Sequence, residues 1–101
     1  MASKGLRGER DAGVPVGFQA LIVSTVAVGL TLPPGMATFA FIEVQAAPIM
    51  VRFDGTDPTA SVGHIYNPGQ TDVWNEKEMR AAKAIRQVGV DGTLVVTYYK
   101  S

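Results

Sequence analysis

Residues 18–32 read FQALIVSTVAVGLTL, and they decide between an all-β domain and a chain that carries a targeting or membrane helix. Every second residue from Phe18 to Leu32 is apolar, with only Ser24 interrupting, whereas the other face is mixed. This period of two, rich in β-branched side chains, favours extended structure. A helix drawn through the same residues also has an apolar side, so a signal peptide or membrane span is the alternative.

The wider segment from residue 12 to residue 42 carries no charged residue, which fits a membrane span. Glu9 and Asp11 precede it, however, and a basic leader usually lacks acidic residues. We predict strands here, and two of them with a bend near Gly29, because strands average about five to six residues. The segment is also broken by glycines and prolines, among them Gly13, Pro15, Gly17, Gly29, Pro33 and Pro34.

Short apolar runs separated by glycine and proline turns continue through the rest of the chain. Asp91-Gly92 is typical of a type I′ turn and predicts a hairpin between the last two strands. Residues 76–86 contain good helix formers, but we find no N-cap with a periodic apolar stripe to support more than about one turn. The total of about eight short strands predicts an all-β fold, a small antiparallel β-sandwich or jelly roll. Further strands are predicted at residues 37–46, 48–53, 62–66, 72–75, 84–88 and 94–99.

The composition of the 101-residue chain limits the classes of function. Nine basic and nine acidic residues balance, so we expect neither nucleic acid nor a membrane surface as a partner. No cysteine is present, which excludes disulfides, thiolate metal sites and cysteine nucleophiles. Hydrophobic residues make up 47% of the chain and charged residues 18%, and this apolar surplus indicates subunit contacts and a homo-oligomer.

The N-terminal residues differ from the remainder, and we expect a flexible arm at 1–15 before a single domain at 16–101. The opening sequence MASKGLRGERDAG has three glycines and almost no apolar side chain, so it cannot build a core. A solvated tail is the simpler interpretation. In the functional alternative the arm becomes ordered on a neighbouring subunit, and Lys4, Arg7 and Arg10 are its candidate partner contacts, the arginines meeting acidic groups.

The segment RFDGTDPTASVGH, residues 52–64, has the side chains of an ion or ligand site. A calcium loop needs oxygen ligands at alternate positions and a distal glutamate, and this spacing provides neither. We interpret the segment as a double turn in which aspartate and threonine oxygens accept hydrogen bonds from backbone N–H groups. The residues that define this turn are Asp54, Gly55, Asp57 and Pro58.

The remaining polar residues predict no catalytic or metal site and no cofactor, so we expect no enzymatic activity. His64 is the only histidine, which leaves it without a partner for a two-histidine metal site or a triad. We expect it in a strand with one ring nitrogen bonded to the backbone. Glu76 and Glu78 lie among basic residues and are best explained as part of a solvated charged face.

Trp74 and Tyr66 are the aromatic candidates for partner contact. With Tyr98 and Tyr99 they have the composition of a sugar-stacking platform, although in a chain of this size such rings are more often core or interface anchors.

Residues 37–70, ATFAFIEVQAAPIMVRFDGTDPTASVGHIYNPGQ, and residues 84–101, AIRQVGVDGTLVVTYYKS, resemble a group of small structural proteins from tailed bacteriophages. Those chains share an A-x-I-x-V block, a V-R-F/Y segment, a DGT-x-PT turn followed by glycine, an N-P-G turn and a closing A-x-L-x-V-x-Y-Y strand. The resemblance covers about the C-terminal two thirds of the chain. The matching positions are Ala40, Ile42, Val44, Val51, Arg52, Phe53, Asp54, Gly55, Thr56, Pro58, Thr59, Gly63, Pro68, Gly69, Leu94, Val96, Tyr98 and Tyr99.

This resemblance implies a virion component with a compact β-sandwich, assembled in the host cytoplasm and located on the capsid surface. As a decoration or cement protein it would bind the major capsid protein; as a tail or head-tail component it would bind another virion protein. The turn is also similar to the DGSDPT turn of β-sandwich modules attached to chitin-degrading enzymes. A glycan-binding or host-receptor-binding module is therefore the alternative.

Overall fold

Seven strands and one short helix form the part of the chain that the computed structural model describes, residues 13–32 and 37–101. β1 begins at Val14, so the last two residues of the predicted arm belong to a strand, and residues 1–12 lie outside the description. The elements are β1 (Val14–Val23), β2 (Phe39–Gln45), β3 (Ile49–Arg52), β4 (His64–Tyr66), β5 (Thr71–Asn75), α1 (Glu76–Ala81), β6 (Lys83–Arg86) and β7 (Gly92–Lys100).

The strands form two antiparallel sheets, which confirms the all-β prediction. One sheet has four strands in the order β1-β7-β2-β5, and the other has three in the order β4-β3-β6. Side chains from both sheets form one hydrophobic cluster, in which Ile42 and Val96 of the larger sheet join Ile49 and Val51 of the smaller. Burial between the sheets therefore holds them together.

The segment that decides the fold is extended only in its first part. The prediction of strands is correct as far as Val23, but the predicted second strand before residue 32 is wrong. After Val23 the chain leaves the larger sheet and reaches the edge of the smaller one, where Val28 forms a single bridge with Ala84. The two bridge hydrogen bonds, Val28 N to Ala84 O and Ala84 N to Val28 O, measure 3.0 and 2.8 Å.

β1 buries the mixed face of the alternating pattern and exposes the apolar one. Its inner side carries Gln19, Leu21 and Val23, whereas Phe18 and Ile22 point outward and are exposed. Gln19, the polar residue of this inner side, has a structural role. Its side-chain oxygen accepts a hydrogen bond of 2.9 Å from the buried Tyr98 hydroxyl. A leucine in place of Gln19 would leave that hydroxyl without this acceptor.

The hairpin predicted between residues 84–88 and 94–99 is wrong, because β6 and β7 belong to different sheets. Gly92 is required for a close approach rather than for a type I′ turn. A Cβ atom at Gly92 would lie 2.6 Å from Ile49 Cγ2 and 2.7 Å from the Ala47 carbonyl oxygen. The connection crosses between the sheets, with Gln87 N donating to Pro48 O at 3.1 Å.

α1 has a well-formed N-cap that the sequence interpretation missed. Asn75 accepts from the Glu78 N–H at 2.9 Å, and the Glu78 side chain accepts from the Asn75 N–H at 2.8 Å, which is a capping box. Glu76 pairs with Arg80 one turn later at 3.2 Å. The two glutamates are thus helix-stabilising residues, and Met79 anchors the helix in the core.

Candidate functional site

The outward side of the four-stranded sheet, hereafter the outer face, carries rows of side chains across all four strands. The strand register aligns Phe18 of β1 with Thr97 of β7, Phe41 of β2 and Val73 of β5. Three of these four residues are apolar. Such a row continues across the sheet without a charged side chain, and it follows from the pleat, which places alternate residues on one face.

Three large apolar side chains on the outer face are exposed to solvent. Phe18 is 68% exposed, Ile22 60% and Val73 43%. Contiguous apolar surface of a few hundred Å² on a small domain marks an interaction site more often than scattered single residues do. The outer face is the strongest candidate functional surface in the described part of the chain.

β1 adds a second feature to this surface, because it is an edge strand. Within residues 13–32 and 37–101, β7 is the only strand that pairs with β1. Edge strands usually carry charged side chains that discourage pairing with other chains. The sequence of β1, VPVGFQALIV, has none, and its only interruptions are Pro15 and a register irregularity between Pro15 and Gly17.

The predicted double turn of residues 52–64 lies on the opposite sheet, at the end of β3. Gly55 has a φ of +81°, a conformation that glycine adopts at little cost. The Asp54 carboxylate accepts from the Thr56 N–H at 3.3 Å and from Arg52 Nε at 3.1 Å. The hydrogen bond from Arg52 is the main cause that lowers the pKa of Asp54. Asp57 lies 3.9 Å from Lys83 and Pro58 is buried, so each residue assigned to this turn has a structural contact or conformation.

An open depression adjoins this turn and is lined by Arg52, Phe53, Asp54, Gly63 and His64. Its two charged side chains already neutralise each other. His64 lies in β4, as predicted, and its ring is 6.1 Å from the Phe53 ring. Among the described residues the ring bonds to no backbone group, so that part of the prediction is wrong. Within the described ranges, no group of three or more histidine, cysteine, aspartate or glutamate side chains is arranged to hold a metal ion.

The structure places Trp74 and Tyr66 in the core rather than on the surface. Trp74 is 1% exposed, and Phe53 and Tyr66 pack edge-on against its ring. Trp74 Nε1 donates to the Tyr66 hydroxyl and to Asp72 Oδ2, each at 3.2 Å, and the Tyr66 hydroxyl donates to the same oxygen at 2.7 Å. Neither ring presents a face to a partner.

Asp72 is the residue of this network that the sequence interpretation missed. It lies two residues before Trp74 in β5, and this spacing puts both side chains on one face of a strand. Burial is the main cause that raises the pKa of Tyr66 to about 12, and the hydrogen bond to Asp72 adds to it. The network links β4 of one sheet to β5 of the other and has a structural role.

The predicted arm contacts Lys4, Arg7 and Arg10 lie outside the described residues. In the described part of the chain, no helix is long and apolar enough to cross a lipid bilayer. Comparison with protein-family models, curated proteins and solved structures finds no match for this chain.

Proposed function

We propose that this protein is a non-enzymatic structural component of a tailed-bacteriophage virion, a decoration or cement protein that binds the major capsid protein and stabilises the head. The resemblance of residues 37–70 and 84–101 to small phage structural proteins suggests this class. The observation that carries the proposal is the exposed apolar outer face. This face spans four strands and lacks the concave, convergent polar groups of a small-molecule site.

The two antiparallel sheets fit the proposed class if they are a β-sandwich. Four strands and three strands enclosing one hydrophobic cluster are compatible with that architecture. An eight-stranded jelly roll is the more specific alternative.

Burial of the outer face would stabilise a capsid through many weak contacts. Burying apolar area contributes about 25 cal/mol per Å², so a patch of a few hundred Å² yields on the order of several kcal/mol before the cost of association. A copy bound at every subunit joint adds contacts that must break before capsid subunits separate. The arm with Lys4, Arg7 and Arg10 would add polar contacts to the same shell.

The other two candidate functions use the molecule differently. A tail or head-tail component would bring the same outer face to another virion protein, so it differs only in location. A glycan- or receptor-binding module would contact its ligand through the rings of Trp74 and Tyr66, and both rings are buried. The structure therefore offers no particular observation in favour of glycan binding.

The test is binding to purified phage heads that lack the protein, measured by co-sedimentation. Val73→Lys places a charge on the outer face and should weaken binding about tenfold or more, because a desolvated charge in such a contact costs over 1 kcal/mol. Val90→Lys is the matched control, since Val90 is also exposed but precedes β7 in the loop between the sheets. Equal binding of both variants would contradict the proposed surface, and no binding of the wild-type protein would contradict the proposed partner.

A further inference from the structure

The free edge of β1 has a backbone arrangement that can be derived from β2. Both strands are antiparallel to β7, so they run parallel to each other in one sheet. Val44 on the inner side of β2 directs both of its backbone groups away from β7. Its N–H donates to Gln70 O at 3.0 Å, and its C=O accepts from Gly69 N at 2.7 Å.

In a pleated strand, residues on one face direct their N–H and C=O groups to one side, and residues on the other face direct theirs to the opposite side. Inner residues of β1 therefore bond to β7. The outer residues Phe18, Ala20 and Ile22 direct their backbone groups to the free edge. The residues with the exposed apolar side chains of this strand are thus the same residues whose backbone groups have no strand partner in the described structure.

We infer that β1 pairs with β1 of a second copy, antiparallel and across a two-fold axis at Ala20, to join the two four-stranded sheets into one. Phe18 and Ile22 are equally spaced about Ala20, so this register sets Phe18 of one protomer beside the partner subunit's Ile22. Aromatic and β-branched residues form favourable cross-strand pairs. Each of the three facing pairs would exchange two backbone hydrogen bonds, as antiparallel pairs of this type do.

The charge pattern favours a second copy over the undescribed segments of this chain as the occupant of the edge. β1 carries no charged residue, so two copies bring no like charges together. Residues 1–12, MASKGLRGERDA, have five charged residues and little apolar surface to cover Phe18 and Ile22. Residues 33–36, PPGM, begin with two prolines, which have no N–H to donate to a ladder.

The expected contact is small. Overlap of residues 17–23 gives an edge of roughly 24 Å at about 3.4 Å per residue. An interface of that length lies at the low end of specific interfaces, about 1,200 Å² in total or less, and such contacts are typically weak. We expect a dimer that forms at micromolar concentrations. The pairing involves this chain alone, so it is independent of the proposed capsid partner.

Introducing a charge of either sign at Ala20 tests the pairing of β1 with β1 of a second copy. Ala20 is exposed, and Ala20→Lys or Ala20→Glu places two like charges directly opposite each other at the axis. Sedimentation over a concentration series should give the wild type a mass about twice 10.7 kDa. Each variant alone should remain a monomer, and an equal mixture of the two should regain the dimer. Val73→Lys, on the far edge of the same outer face, should leave the dimer unchanged.

Three results would overturn the inference: a wild type that is monomeric at every concentration, an Ala20→Lys variant that dimerises like the wild type, or a Val73→Lys variant that is monomeric. Cross-linking provides a measurement that does not depend on the charged variants folding. The chain has no cysteine, so a single Ala20→Cys substitution with a short bis-maleimide should give a covalent dimer, and Val73→Cys should not. The reverse pattern would assign the contact to β5 and refute the pairing of β1.

Discussion

β1 and β7 are neighbouring strands with similar sequences and opposite environments. VPVGFQALIV and GTLVVTYYK both alternate, and both lack charged residues apart from the terminal Lys100. β7 pairs on both sides and buries Leu94, Val96 and Tyr98, whereas β1 pairs on one side and exposes Phe18 and Ile22. The difference in backbone pairing arises from position in the sheet, since a central strand leaves no backbone edge free and an end strand does. The difference in burial arises from the two faces, since Leu94, Val96 and Tyr98 point to the core whereas Phe18 and Ile22 lie on the outer face.

The comparison predicts its largest effect for matched truncations in the two strands. Leu94→Ala removes a side chain that is 1% exposed and should lower the free energy of unfolding by about 2–5 kcal/mol. Phe18→Ala removes a larger side chain from an exposed position, and at concentrations where the protein is monomeric it should change stability by less than about 0.5 kcal/mol. Urea unfolding of both variants measures these values. Similar losses from the two would show that β1 also supports the core with its outer side.

A pH effect is expected from Tyr98 of β7, whose hydroxyl donates a hydrogen bond to Gln19 of β1. Burial raises the pKa of Tyr98 to about 12, above the ordinary value of 10.0. The folded state therefore favours the neutral phenol. Its contribution is complete below pH 10 and is lost as the pH rises through about 12, a change on the order of 2 kcal/mol.

Urea unfolding between pH 8 and pH 12 should show this loss, and Tyr98→Phe should reduce it. Tyr66, whose pKa is also raised to about 12, remains in that variant and accounts for the residual slope. Parallel pH curves for the wild type and Tyr98→Phe would refute the burial of the Tyr98 phenol.

An effect similar in size to the pH effect is expected where β7 begins. Gly92→Ala forces a methyl group against Ile49 Cγ2 and the Ala47 carbonyl oxygen, and should destabilise the protein by about 1–3 kcal/mol. Gly89→Ala is the control in the same connection, because a Cβ atom there meets nothing within 4 Å. The midpoint temperatures of thermal unfolding, measured for both variants and the wild type, distinguish Gly92→Ala from Gly89→Ala. If both variants unfold at the wild-type temperature, the strand does not approach the smaller sheet as closely as described.

Local signals in the sequence account for most of the elements. Alternation and turn residues placed β2 to β7 within a few residues. Asn67-Pro68-Gly69-Gln70, which contains the N-P-G turn of the resemblance, forms a turn with Gly69 at a φ of +89° and Gln70 N donating to Asn67 O. The wrong predictions concern contacts between residues that are far apart in the chain. Asp91-Gly92 resembles a hairpin turn, but the connection between β6 and β7 is decided by contacts of Gly92 with Ala47 and Ile49, far away in the chain.

The outer face could not be predicted from the sequence for a related reason. An alternating strand reveals which residues share a face but not which face meets the other sheet, and in β1 the more apolar face is the outer one. Trp74 shows the converse. Its burial depends on Tyr66 of the smaller sheet and on Phe53, which directly follows β3, so Trp74 belongs to the core although the sequence made it a candidate for partner contact.

The most direct test of the account is amide hydrogen exchange of the protein bound to purified heads and of the free protein at a concentration low enough for it to be monomeric. We predict that bound protein gains protection in β1 and in β5, the two edges of the outer face, while residues 52–64 on the opposite sheet exchange as before. Protection gained at residues 52–64, with β1 and β5 unchanged, would contradict the account and assign the contact surface to the double turn.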